Sequence, residues 1–174
     1  MTRPIKPLMV MKFGGAALAN PENIIKTTKI IKKYNESYRV VVVVSAIKNV
    51  TDNLLGIGKS VKIEKSDKTL EKIEILYQKH LKFLERISNP VLACETKQEI
   101  KLLFDLLELF IKRVNQTHIT DSQIDFIVSL GERLSARIIV SYLRNLKVNA
   151  SLMDTRDFLT TTAQHGGAKP IIKK

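Results

Sequence analysis

The chain has 174 residues, 44% of them hydrophobic, and 29 Lys and Arg against 17 Asp and Glu give it a formal net charge of +12. That length suits one domain with a sizeable core, and a single cysteine, Cys94, excludes an internal disulfide framework and fits a reducing compartment. No apolar run approaches the roughly 18 residues of a membrane helix, and Met1-Thr2-Arg3-Pro4 lacks the apolar core of a secretion signal, so a cytoplasmic protein without a membrane partner is expected.

The excess of positive charge could serve anionic substrates, nucleic acid or an anionic surface. Its distribution argues against a dedicated nucleic-acid domain. The lysines are spread along helical stretches (Lys26, Lys29, Lys32, Lys33; Lys65, Lys68, Lys72, Lys79, Lys82) and alternate with acids and apolar positions. That pattern reads as a solvated surface, with no RNA-binding aromatic motif and no zinc spacing beside it. His80, His118 and His165 are isolated from one another, so no metal site is expected from them.

In chain order, Leu8-Met9-Val10-Met11-Lys12-Phe13-Gly14-Gly15 reads as a strand running into a glycine turn. Glycines let backbone N–H groups approach an anion, and a lysine adds a mobile positive charge, so the segment suits phosphoryl groups. It is not a Walker loop, and a plain strand end with a snorkelling lysine would look similar. A helix follows from Pro21 to Tyr34, with Asn20 as its N-cap and Ile24, Ile25, Ile30 and Ile31 as its core face. Tyr38-Arg39 leads into five consecutive valines, Val40 to Val44; a run without alternation predicts a parallel strand buried on both faces. Ser45-Ala46 ends it, and Thr51-Asp52 reads as the cap of a helix from Asn53 to about Lys62.

Leu70, Ile73, Leu76, Tyr77, Leu81, Leu84 and Ile87 recur at helical spacing up to the break at Asn89-Pro90. Ile100, Leu103, Phe104, Leu107, Phe110, Ile111 and Val114 mark a second helix. Together they predict an antiparallel helical pair, residues 66–115, inserted between strands and covering one edge of the sheet. A third helical stretch runs from Asp121 to Leu146, interrupted near Gly131; Val148 to Met153 reads as a short strand ending at Asp154, and Gln164 to Pro170 as an exposed loop or hairpin.

Four segments fall in a telling order: Lys12-Phe13-Gly14-Gly15; Val43-Val44-Ser45-Ala46 with Thr51-Asp52-Asn53-Leu54-Leu55; Ser129-Leu130-Gly131-Glu132-Arg133-Leu134-Ser135; and Asp154-Thr155-Arg156-Asp157-Phe158. Each is modest alone. As a set, with the helical insertion ahead of Gly131-Glu132, they resemble the aspartokinases of the amino-acid kinase superfamily from about Val10 to Thr161. The resemblance implies a three-layer α/β/α sandwich with a mainly parallel sheet, present here in incomplete form. It implies transfer of the ATP γ-phosphoryl group to the side-chain carboxylate of L-aspartate, with Mg2+. That reaction opens the aspartate-family route to lysine and threonine.

Residue by residue, the resemblance gives Lys12, Gly14 and Gly15 to the ATP phosphates, with Lys12 also stabilising the transition state. It gives Ser45 and Thr51 to the amino-acid pocket and Glu132 to the α-amino group of aspartate. Two readings stand for Thr51, a pocket hydroxyl or a helix cap, and two for Glu132, because Ser129-Leu130-Gly131-Glu132 has capping-box spacing. Asp154 and Asp157 read as turn and cap residues.

Two departures from the family pattern bear on activity. Ala16-Ala17 stand where the family usually has Thr-Ser, and the later Gly-Arg-Gly-Gly-Ser-Asp-type loop, adenine region, second lysine and regulatory ACT domains have no match. The chain thus reads as the amino-terminal, aspartate-side portion of the fold, expected to be inactive alone and to associate with itself or with a complementary kinase half. The other readings are a non-catalytic partner subunit and a kinase for another amino acid such as glutamate.

Overall fold

The computed structural model describes residues 5–60, 66–114 and 119–172, with Ser66 described by its backbone alone. The expected extension of one helix to Lys62, the end of the insertion at residue 115, and His118 lie outside the described residues.

Strand β1 (Leu8–Phe13) and strand β2 (Arg39–Val44) pair in parallel, from Leu8 opposite Arg39 to Phe13 opposite Val44. Parallel neighbours need a crossover. Helix α1 (Pro21–Asn35) provides it, entered through a 3-10 turn at Gly15–Leu18. Asn20 caps α1, its Oδ1 accepting from Asn23 N at 2.8 Å, and Pro21 fills the first helical position, where its missing N–H costs nothing.

The period-two geometry of the strands splits their side chains between two faces. Met11, Phe13, Val40, Val42 and Val44 pack on the core. Leu8, Val10, Val41 and Val43 point the other way, with Val10 63% and Val43 46% exposed. The valine run is therefore covered on one face, not both. Among the described residues the sheet has two strands and one helical layer, an incomplete version of the expected sandwich.

Helix α2 (Val50–Ser60) begins three residues before the expected Asn53. Asn49 takes a positive φ of 68° and Val50 N donates to Ile47 O at 2.9 Å, so the chain turns before Thr51 is reached. Thr51 sits inside the first turn instead of capping it. Helices α3 (Ser66–Leu84) and α4 (Pro90–Arg113) pack on each other as the expected helical pair, and among the described residues both named strands precede them. Asn89-Pro90 ends one helix and starts the next: Asn89 Oδ1 accepts from Val91 N at 3.1 Å and Leu92 N at 3.2 Å. The second helix thus starts ten residues before Ile100. The pair packs chiefly on α2 and on α5 (Asp121–Asn145), not along the sheet edge.

Helix α5 runs 25 residues without interruption at Gly131. Its capping box is Thr120 with Gln123, which supply reciprocal bonds of 3.3 and 2.9 Å; Ser129 and Glu132 lie mid-helix and cap nothing. Ile127, Leu130, Leu134 and Ile138 form its fully buried spine. Two buried hydrogen bonds tie it to that helical pair: Thr96 Oγ1 donates to Ser141 Oγ at 2.8 Å, and Tyr142 OH donates to Phe83 O at 2.5 Å. Val148–Met153 has no regular secondary structure and is not the expected strand, while the tail turns back on itself through an antiparallel bridge between Thr161 and Pro170. No helix among the described residues is long and apolar enough to cross a membrane.

Candidate active site

The carboxyl ends of the two parallel strands lie side by side, where ligands sit in open α/β sheets. Lys12 is the penultimate residue of β1 and belongs to its bare face. Its Nζ stands over the glycine turn, 3.9 Å from where a Cβ on Gly14 would be. Gly15 approaches the end of β2 so closely that a Cβ there would lie 3.0 Å from Ala46 O. The turn is pinned from behind by α1: Asn23 Nδ2 donates to Ala16 O and Thr27 Oγ1 to Ala17 O, each at 3.0 Å.

Ser45 and Ala46 form the exit of β2. Ser45 N donates to Phe13 O at 3.0 Å, which joins the two strand ends. Glu132, part-buried on α5, accepts from Ala46 N through Oε1 at 3.4 Å. Ser135 Oγ donates to Ser45 O at 2.7 Å. Gly131 lets the helix come this near, since a Cβ on it would stand 2.8 Å from Ala46 Cβ. Thr51, part-buried, follows on α2 one residue after Val50, whose side chain also packs beside Gly131.

Lys12, Gly14, Gly15, Ser45 and Glu132 are thus drawn to one end of the sheet through Ala46 and its neighbours. Thr51 follows on α2, and its hydroxyl makes no hydrogen bond among the described residues. Sequence reasoning gave no role to Gly131, Arg133 or Ser135. Gly131 and Ser135 stand four apart on one helical face, a spacing that could have suggested a shared contact.

A cavity of about 350 Å3 opens along the free edge of β2, between Val40–Val44, α5 and the segment Val148–Phe158, and Glu132 lines it. Its rim is ionic. Asp154 caps a 3-10 turn at Thr155–Asp157, the turn and cap role expected of it. Arg156 grips Asp154 through Nε at 2.8 Å and Nη2 at 2.6 Å, holding its carboxyl down to about 2. Arg133 Nε lies 3.8 Å from the same carboxylate. Burial, then the nearby Arg156 and Arg137, push the Arg133 guanidinium below its ordinary value.

What the residues can hold follows from this chemistry. The lysine over the glycine turn offers charge and close backbone approach to phosphoryl oxygens. A carboxylate at Glu132 and a hydroxyl at Ser45 suit the ammonium and carboxylate of an amino acid. Among the described residues no group of three or more His, Cys, Asp or Glu stands together as a metal cage.

Strand-helix-strand in parallel, with a lysine-glycine turn and the Glu132 face of α5 meeting at the strand ends, defines a protein of the α/β class. The comparisons with known proteins give the family: residues 7–172 match the amino acid kinase family, and the chain belongs to it. It is 29% identical over 157 residues to aspartokinase 1, chloroplastic, of Arabidopsis thaliana, covering 87% of this chain and 26% of that protein. It is 31% identical over 164 residues to the aspartokinase of Chlamydia pneumoniae, covering 93% and 33%. The E. coli aspartokinase III structure in complex with aspartate and ADP shares its fold with a TM-score of 0.82 at 23% identity, over 95% of this chain and 35% of that one. The chain therefore spans about a third or less of each of these relatives.

Proposed function

We propose that this chain is the acceptor side of an aspartokinase domain, and that it phosphorylates L-aspartate when joined by the remainder of that domain. The observation that supports this most is the meeting of Lys12, the Gly14-Gly15 turn, Ser45 and Glu132 at one end of a parallel sheet. The resemblance to aspartokinases in both sequence and fold points the same way.

In this reading a side-chain carboxylate oxygen of aspartate attacks the γ-phosphorus of ATP. The bond from that phosphorus to the β–γ bridging oxygen breaks, and ADP leaves with the electron pair. Little covalent chemistry is asked of the protein; it aligns two anions and neutralises the charge between them. Lys12 meets the transferred group, and the glycine turn brings backbone donors to the same oxygens. Glu132 holds the α-ammonium of aspartate, and Ser45 and Thr51 line its pocket. Mg2+ supplies charge neutralisation on the phosphates when bound, held by ATP and by parts of the domain outside this chain. The reaction would proceed in the cytoplasm and open the route to lysine and threonine.

The test is a coupled ADP-release assay with ATP, Mg2+ and aspartate. The chain alone is expected to show no turnover. Turnover is expected when the rest of an aspartokinase domain is added in trans, and Lys12→Ala should lower it by about a thousandfold, the scale on which one preorganised charge contact acts. Robust turnover by the chain alone, or complementation indifferent to Lys12, would refute the reading. A second reading, a non-catalytic partner subunit, is favoured by Ala16-Ala17, which put no hydroxyl beside the phosphate path. It predicts aspartate binding without turnover under every complementation.

A further inference from the structure

We propose that Ser135 is a positioning residue of the acceptor pocket: its buried hydroxyl clamps the exit of β2 to α5 and sets the placement of Ser45 relative to Glu132. The proposal rests on the reading of Ser45 and Glu132 as the groups that meet aspartate.

A serine inside a helix ordinarily satisfies itself on a carbonyl three or four residues back. Ser135 has such a partner in Glu132 O at 3.0 Å, so its burial would be tolerated without any other contact. The hydroxyl lies nearer to Ser45 O, at 2.7 Å, a carbonyl 90 positions earlier in the chain. Its one proton is within reach of both carbonyls and nearer the tertiary one, and that bond runs from a fully buried side chain to a part-buried carbonyl, where water dilutes it little.

The neighbouring contacts explain why a clamp is needed. Gly131, Glu132 and Ser135 present one helical face to Ser45-Ala46. Gly131 contributes space alone. Glu132 accepts from Ala46 N at 3.4 Å, a long bond for an N–H donor. If Glu132 turns to the ammonium of a ligand, that bond is given up, and Ala46 N–H becomes free to donate to a ligand oxygen. Among the described residues, Ser135 to Ser45 O is then the remaining hydrogen bond between α5 and the strand exit. The clamp lets Glu132 change partners without the strand end drifting from the helix.

The experiment is amide hydrogen exchange and L-aspartate titration by NMR on the full chain, comparing wild type with Ser135→Ala and Ser135→Cys. In Ser135→Ala, exchange at Ala46 should speed up by about tenfold while amides of α3 keep their rates, and the Kd for aspartate should rise by about fivefold, the scale of one buried hydrogen bond. The thiol fills the same place with a weaker donor, so Ser135→Cys should fall between. Unchanged exchange at Ala46, or equal acceleration throughout the molecule, would overturn the clamp. Should Ser135→Ala fail to fold, Ser135→Cys carries the same comparison. A wild-type chain with no aspartate-dependent shifts at Ser45, Ala46 or Glu132 would defeat the functional reading instead, and exchange at Ala46 would still judge the clamp.

Discussion

His80 shows how one residue ties this fold to pH. It is fully buried between α3 and α4, with Nδ1 donating to Leu76 O at 2.7 Å and its ring edge-on to Phe104 at 5.4 Å between centroids. Its Nε2 is buried with no hydrogen-bond partner. Burial is the main cause that lowers the imidazole from 6.5 to about 4, with a bond to Leu76 opposing and the charge of Lys79 assisting. The folded value lies below the unfolded one, so the unfolded chain takes the proton first as pH falls. The stability owed to neutral His80 is complete above about 6.5 and drains away down to about 4, a loss on the order of 3 kcal/mol. Denaturant titrations across that range should show the loss in wild type and a flatter profile in His80→Leu. Gly131 makes a second case at this scale. Alanine gains about 1 kcal/mol in helix propensity, but its Cβ would meet Ala46 Cβ at 2.8 Å, and neither atom can swing aside. Overpacking of this kind costs about 1–3 kcal/mol, so Gly131→Ala should lower the Tm by a few degrees despite the better helix former.

Among the elements, α5 is the hub, meeting α1, α2, α4 and β2. Tyr142 ties it to the end of α3, and burial pushes that phenol up to about 12. Tyr142→Phe keeps the packing but leaves Phe83 O unpaired, and should cost about 1–2 kcal/mol in chemical denaturation. The elements were legible where local chemistry decided them. Asn20-Pro21 announces α1, and the apolar stripes announce α3 and α4. They were illegible where tertiary contacts decided. Gly131 looks like a helix break because a lone sequence does not show Ala46 pressing against it. Thr51 looks like a cap because the turn at Asn49 depends on a left-handed residue that is not glycine. The Ser129–Glu132 spacing mimics a capping box that Thr120 and Gln123 form nine residues earlier. Five valines read as a doubly buried strand, since their composition is the same whether or not a second layer covers them. The candidate site could be marked out as a set of motifs, Ser135 among their residues, but the bond from Ser135 to Ser45 stayed hidden because the two lie 90 residues apart.

Taken whole, the molecule joins a bare apolar sheet face to a strong positive charge. Leu8, Val10, Val41 and Val43 line that face, with Lys12 and Arg39 on the same side. Apolar faces of this kind drive association, while a net charge of +12 opposes it between identical copies. Salt screens the repulsion over about 10 Å at 0.1 M and leaves the apolar term in place. The weight-average mass in sedimentation should therefore rise with ionic strength, and Val41→Thr with Val43→Thr should blunt the rise. A monomer at every salt concentration would count against self-association and favour a partner of opposite charge.

The bonds that α5 makes to Ser45 and Ala46 span 90 and 86 residues of chain. Closing a loop of that length costs about 4 kcal/mol in chain entropy, whereas β1, α1 and β2 are consecutive and can zip together locally. Time therefore enters the design. During refolding the sheet is expected to form early and the strand exit to wait for a helix still being sorted behind α3 and α4. For that interval the chain would hold the Gly14-Gly15 turn without α5 beside the strand exit, and any binding that needs both would lag behind the recovery of secondary structure.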